Sequence, residues 1–125
     1  MNKATIEVLV VEDDILAQMV AKFILQDFNC RVDIAKSENE ALGKANIIKY
    51  QLIFIDLGLG KSDGFTVIKK IKEHSKNMNT PIFILTAHRT IDLQQKAASV
   101  GIDEFITKPL EKEKVVEIIN KYVAK

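Results

Sequence analysis

The chain has 125 residues, a formal net charge of +1, and is 47% hydrophobic and 28% charged. That length suits a single domain over 1–125 with its own core, and the composition excludes wholesale disorder. With Lys and Arg nearly matching Asp and Glu, and no basic run before the last turn, nothing favours nucleic acid or a membrane surface as a partner.

A single cysteine, Cys30, excludes an internal disulfide framework and suits a reducing, cytoplasmic compartment. Met1-Asn2-Lys3 leads directly into a strand pattern, so no signal peptide is expected. No apolar run approaches the ~18 residues needed to span a bilayer.

The first predicted element is a strand over Ile6–Val11. A helix follows near Asp14–Phe28, with Ile15, Met19, Val20, Phe23, Ile24 and Leu25 at helical spacing. A strand over Arg31–Ala35 precedes a helix over Glu38–Lys49, where Ser37 and Glu40 have capping-box spacing. The third strand is Leu52–Ile55, and the third helix, Gly64–Ser75, carries Phe65, Val67, Ile68 and Ile71. Pro81–Leu85 is the fourth strand, and Ile91–Val100 the fourth helix, closed by Gly101 as a left-handed cap. Glu104–Thr107 and a helix over Glu111–Val123 complete the series, with acids early in the helix as its dipole favours. Two stretches are left as loops. Gly58–Asp63 follows Asp56 and is expected to be functional; Lys76–Thr80, with Asn77 and Asn79, is expected to be only a connection.

Strand runs that are apolar on consecutive positions fit a parallel sheet covered on both faces. Five strand–helix alternations imply right-handed crossovers and a doubly wound, five-stranded α/β fold. Strand carboxyl ends then meet on one edge, where such sheets bind ligands. Glu12-Asp13, Asp56, Thr86-Ala87 and Lys108-Pro109 each close an apolar run and therefore converge there.

Three carboxylates within ~5 Å repel by about 3 kcal/mol per pair at an effective dielectric near 20, so full ionisation needs a cation. Hard oxygen ligands of this kind suit Mg²⁺ shared with a phosphate. Asp13 or Asp14 can instead cap the first helix, and the two roles can fall on different acids. Thr86 and the Ala87 N–H, between a strand and a helix, can bind phosphoryl oxygens. The X-Pro bond after Lys108 is a place for a cis peptide. Asp63-Gly64 reads as a turn that starts a helix.

Together these residues resemble the receiver domain of two-component response regulators, over essentially the whole chain from Ile6 to about Val123. The resemblance implies a (βα)5 flavodoxin-like fold with strand order 2-1-3-4-5, and transfer of a phosphoryl group from a phosphohistidine onto Asp56. It implies Mg²⁺ (or Mn²⁺) held by Asp13, Asp56 and the Gly58 carbonyl, with Glu12 acting mainly through a bound water. Thr86, the Ala87 N–H and Lys108 would bind phosphoryl oxygens. Thr86 and Phe105 would form the switch, changing the surface of the fourth helix, fifth strand and fifth helix, through which partners or a second copy dock. Expected partners are a sensor histidine kinase or a histidine phosphotransfer domain.

Departures from the family pattern are specific. Glu12 replaces the commoner Asp, and Leu59-Gly60 stands where Met-Pro is common, which loosens that loop. Gly58 lacks a side chain to contact the phosphoryl group, and His88 lies two residues after Thr86; in the family, residues at these two positions tune phospho-Asp lifetime, and His88 can act on water or simply be an exposed side chain. The leading reading is a phosphoacceptor module rather than an enzyme, either a stand-alone regulator or the receiver of a hybrid sensor kinase. An Asp-nucleophile phosphatase would show Asp-x-Asp after the first strand, where this chain has Glu12-Asp13-Asp14. A flavodoxin-like cofactor binder would have a Ser/Thr/Gly phosphate loop there instead of acids. A non-phosphorylated docking module would not need Asp56, Asp13, Thr86 and Lys108 together.

Overall fold

The computed structural model describes residues 5–59, 62–87 and 90–123. Five parallel strands form one sheet: β1 (Ile6–Val11), β2 (Cys30–Ala35), β3 (Leu52–Asp56), β4 (Ile82–Thr86) and β5 (Glu104–Thr107), in the order 2-1-3-4-5. Helices α1 (Ile15–Gln26), α2 (Glu38–Ile47), α3 (Gly64–His74) and α4 (Ile91–Val100) connect successive strands, and α5 (Lys112–Ile118) follows the last one. This is the expected doubly wound flavodoxin-like fold.

The uninterrupted apolar runs explain why the sheet lies in the middle. Leu9, Val11, Ile53, Ile55, Ile82 and Ile84 face α2, α3 and α4. Val8, Val10, Leu52, Phe54, Phe83 and Leu85 face α1 and α5. Alternate residues of a strand point to opposite faces, so both sides must be covered. Each such buried aliphatic or aromatic side chain contributes roughly 1.5–3 kcal/mol relative to exposure. Phe54 stacks on Phe83 at 5.2 Å, and Tyr122 meets Phe83 edge-on at 5.1 Å.

Several boundaries move for identifiable reasons. Asp56 is the last residue of β3, inside the ladder, where it pairs with Leu85. The fourth strand runs Ile82–Thr86 and so includes Thr86 rather than Pro81, because Pro has no N–H for the ladder. α2 ends at Ile47 instead of Lys49, since the Ile48 backbone turns extended. The fifth helix runs regularly only over Lys112–Ile118; its last turn, Ile119–Val123, widens to π-helical geometry. Tyr122 there reaches Glu104 with its hydroxyl at 3.2 Å.

One feature goes beyond the sequence expectation and one corrects it. The helical spacing in α1 is real, but Ile15, Met19 and Phe23 point away from the sheet, and Leu16 with them; their exposures run from 62% to 70%. The buried side is Ala21 and Leu25. Lys76–Thr80 is also more than a connection. Asn77 is fully buried; its amide donates to the carbonyls of Ala45 (2.7 Å) and Ile48 (2.8 Å), and its Oδ1 accepts from the Tyr50 N–H at 2.7 Å. The Thr80 hydroxyl lies 2.9 Å from the same oxygen. This network plugs the amino end of β3 and β4.

Candidate functional site

The carboxyl ends of β1, β3 and β5 bring together residues from three distant stretches. Asp56 ends β3 and is buried, with 9% exposure. Glu12 follows β1 and is buried; Asp13, next to it, is exposed. Carboxylate oxygens of Glu12, Asp13 and Asp56 lie within 4.8 Å of one another. Lys108 follows β5, preceding a cis bond to Pro109, and its ammonium lies 2.6 Å from Glu12 Oε1 and 3.3 Å from Asp56 Oδ1. The Lys108 N–H donates to the Thr86 carbonyl at 2.7 Å, which ties the ends of β4 and β5 together.

Burial and pairing oppose each other at these groups. Burial raises the Glu12 carboxyl above its ordinary range and outweighs the hydrogen bond from Lys108. Burial disfavours the charged form of Lys108 too, yet its contacts with Glu12 and Asp56 prevail and hold its pKa above normal. Three carboxylates against one ammonium leave an excess of negative charge. An all-oxygen donor set of this kind fits a hard divalent cation.

Thr86 ends β4 as a buried residue, and Ala87 follows it at the surface. Gly58 opens a two-residue antiparallel ribbon, Gly58–Leu59 with Ser62–Asp63, within the predicted loop. A Cβ at Gly58 would lie 3.8 Å from Asp56 Oδ2, so this position does border the carboxylate. Phe105 is half-buried in β5, against the face that carries α2, α3 and α4. His88 lies outside the described residues. Asp14 is the helix cap: its Oδ2 accepts the Ala17 N–H at 2.8 Å, leaving Asp13 for the cluster.

Three supporting residues escaped the sequence reading. A Cβ on Gly64 would sit 2.9 Å from the Asp56 carbonyl oxygen and 2.9 Å from the Leu57 Cα, so only glycine lets α3 approach the back of Asp56 this closely. The Asp63-Gly64 turn signal marked the place but not this contact. Gln18 donates its amide to the Glu12 carbonyl at 2.7 Å. Lys96 of α4 reaches Asp63 at 3.6 Å and lies over the Phe65 ring at 4.9 Å, which joins α4 to the start of α3. Beside Lys108, Leu16 and Val20 of α1 line an apolar groove with Leu85, Pro109 and Leu110.

The family model described as response regulator receiver domain matches residues 8–120 of the chain. Hybrid signal transduction histidine kinase L of Dictyostelium discoideum is 36% identical over 122 residues, covering 93% of this chain but 7% of the kinase. The chain therefore spans only a small part of that relative. The structure of chemotaxis protein CheY4 of Vibrio cholerae is 30% identical with a TM-score of 0.85, and covers 96% of this chain and 100% of that one. The receiver domain of sensor histidine kinase PA1611 of Pseudomonas aeruginosa, a structure with magnesium in its active-site cleft, shares the fold: TM-score 0.86, 24% identity, 98% and 100% coverage.

Proposed function

The chain belongs to the response regulator receiver domain family of two-component signalling, and on that premise we propose that Asp56 accepts a phosphoryl group from a phosphohistidine. An Asp56 carboxylate oxygen attacks the phosphorus, the bond from phosphorus to the imidazole nitrogen breaks, and the ring leaves as neutral imidazole once a proton is supplied. The observation that carries this reading is Lys108, held at 3.3 Å from Asp56 beside two further carboxylates. Phosphoryl transfer needs positioning and charge neutralisation more than covalent help, and this arrangement supplies both.

Asp13, Asp56 and the Gly58 carbonyl hold Mg²⁺ in this reading, with Glu12 beside them; the cation neutralises charge on the transferring group. Magnesium in the cleft of the PA1611 receiver supports the assignment. Thr86, the Ala87 N–H and Lys108 bind the phosphoryl oxygens. Thr86 and Phe105 then carry the change to the α4–β5–α5 face, and Lys96 places α4 where it can respond. Gly58 borders the acceptor and, with His88, sets the lifetime of the phospho-Asp.

The phosphodonor is a histidine kinase or histidine phosphotransfer domain in the cytoplasm. The exposed apolar side of α1, which adjoins the site, supports delivery by a protein partner. Among the described residues no helix is long and apolar enough to cross a membrane.

Incubation with acetyl phosphate and Mg²⁺ should add one phosphate by intact-mass spectrometry. Asp56→Asn and EDTA should each abolish the addition. Labelling that persists in Asp56→Asn would reject the acceptor, and sustained turnover of phosphate esters would favour a phosphatase.

A further inference from the structure

Glu12 is the departure from the commoner Asp, and it is the most thoroughly tethered member of the cluster. Its side chain is nine-tenths or more buried, with 2% of the residue exposed. Its Oε1 accepts from Lys108 at 2.6 Å, and its Oε2 accepts the Asp14 N–H at 3.2 Å. Its backbone N–H donates to the Ala35 carbonyl at 2.9 Å, and its own carbonyl accepts from Gln18 at 2.7 Å. Every polar group of Glu12 therefore has a partner, and the shortest contact goes to Lys108. The contact from Lys108 to Asp56 is longer, at 3.3 Å. Lys is a flexible stem with a point charge, so its direction must come from its partners. Here the main partner is Glu12.

We propose that Glu12 is a positioning residue for Lys108: it holds the ammonium against Asp56 before transfer, so that Lys108 meets the incoming phosphoryl oxygens without first having to be ordered. This rests on the phosphoacceptor reading and assigns Glu12 a task other than service to the metal. The length of the side chain is the essential feature. An Asp at position 12 would fall short by roughly one C–C bond, ~1.5 Å, on a backbone pinned at both of its polar groups. Charge would be kept while reach was lost.

Two measurements separate this role from metal binding. In metal-free protein, reductive methylation of Lys108, read by peptide mass spectrometry, should rise several-fold in Glu12→Asp and Glu12→Gln, with exposed Lys70 as the internal reference. With saturating Mg²⁺, so that any loss of metal affinity is compensated, the phosphorylation rate from acetyl phosphate should fall roughly tenfold in Glu12→Asp, the scale expected of a misplaced group. In a Lys108→Met background, Glu12→Asp should cost nothing more, since the two residues act as a unit.

A rate loss recovered by more Mg²⁺, an equal loss in the Lys108→Met background, or unchanged Lys108 methylation overturns the proposal. If a variant fails to fold, circular dichroism reveals it, and methylation of the other variant still decides. A wild-type protein that takes no phosphate at all defeats the phosphoacceptor reading instead; the metal-free methylation result stands apart from it.

Discussion

The two ends of the sheet hold buried polar groups on opposite terms. At the amino end, Asn77 donates both amide hydrogens and accepts twice, with neutral partners throughout. At the carboxyl end, three carboxylates cluster within 4.8 Å of one another, and two of them, Glu12 and Asp56, pair with the Lys108 ammonium. The first arrangement is closed and serves the fold. The second is left with unbalanced negative charge, which weakens the fold but suits the site to a cation. Substitutions at the two ends should therefore separate stability from function.

The largest effect belongs to the amino end. Asn77→Ala removes four contacts and strands the buried Tyr50 N–H and two carbonyls; unpaired buried groups cost about 1–3 kcal/mol each. Urea unfolding should show a loss of about 4 kcal/mol, while phosphate uptake per folded molecule stays at the wild-type level. Impaired uptake in the folded fraction would break the contrast.

Next comes alkaline pH, which tests a second neutral group at the amino end. Burial pushes the Cys30 thiol up to about 11, whereas an unfolded chain loses that proton near 8.5. Between these values the folded state binds more protons. The contribution is thus fully present below pH ~8.5 and is lost as pH rises toward 11, by about 3 kcal/mol. Tyr50, buried beside Asp33, is raised too and acts in the same sense. Cys30→Ala should flatten the fall in urea midpoint between pH 9 and 11; an unaltered slope would reject the role of Cys30.

The smallest effect sharpens the carboxyl end. Mg²⁺ at ten times its dissociation constant should add about 1.4 kcal/mol to wild-type stability. In Asp13→Asn the increment should nearly vanish, whereas Asn77→Ala should keep it. Equal increments in wild type and Asp13→Asn would remove Asp13 from the metal site.

Much of this contrast was legible from one end only. Asp56, Glu12, Asp13, Thr86 and Lys108 each follow an apolar run, so strand patterning alone placed them on one edge. Asn77 gave no such signal, because its backbone partners lie 27 to 32 residues away and a polar loop residue looks the same whether buried or solvated. The apolar positions of α1 were seen, but periodicity cannot tell which stripe meets the sheet when a helix carries two. Ala21, a small residue with little hydrophobic signal, marks the buried side. Gly64 shows the same limit: a turn signal in sequence, a close approach to Asp56 in three dimensions.

The pair of Glu12 and Lys108 has a consequence for how the protein comes into being. Its members are 96 residues apart. A chain emerging from the ribosome presents Glu12, Asp13 and Asp56 long before it presents their cation. Until β5 docks on β4, the acids face each other without Lys108. Parallel sheets pair strands distant in sequence and pay for loop closure before the contact forms. In the phosphoacceptor reading, competence to accept phosphate waits for β5, and its appearance reports that β4 and β5 have joined the sheet.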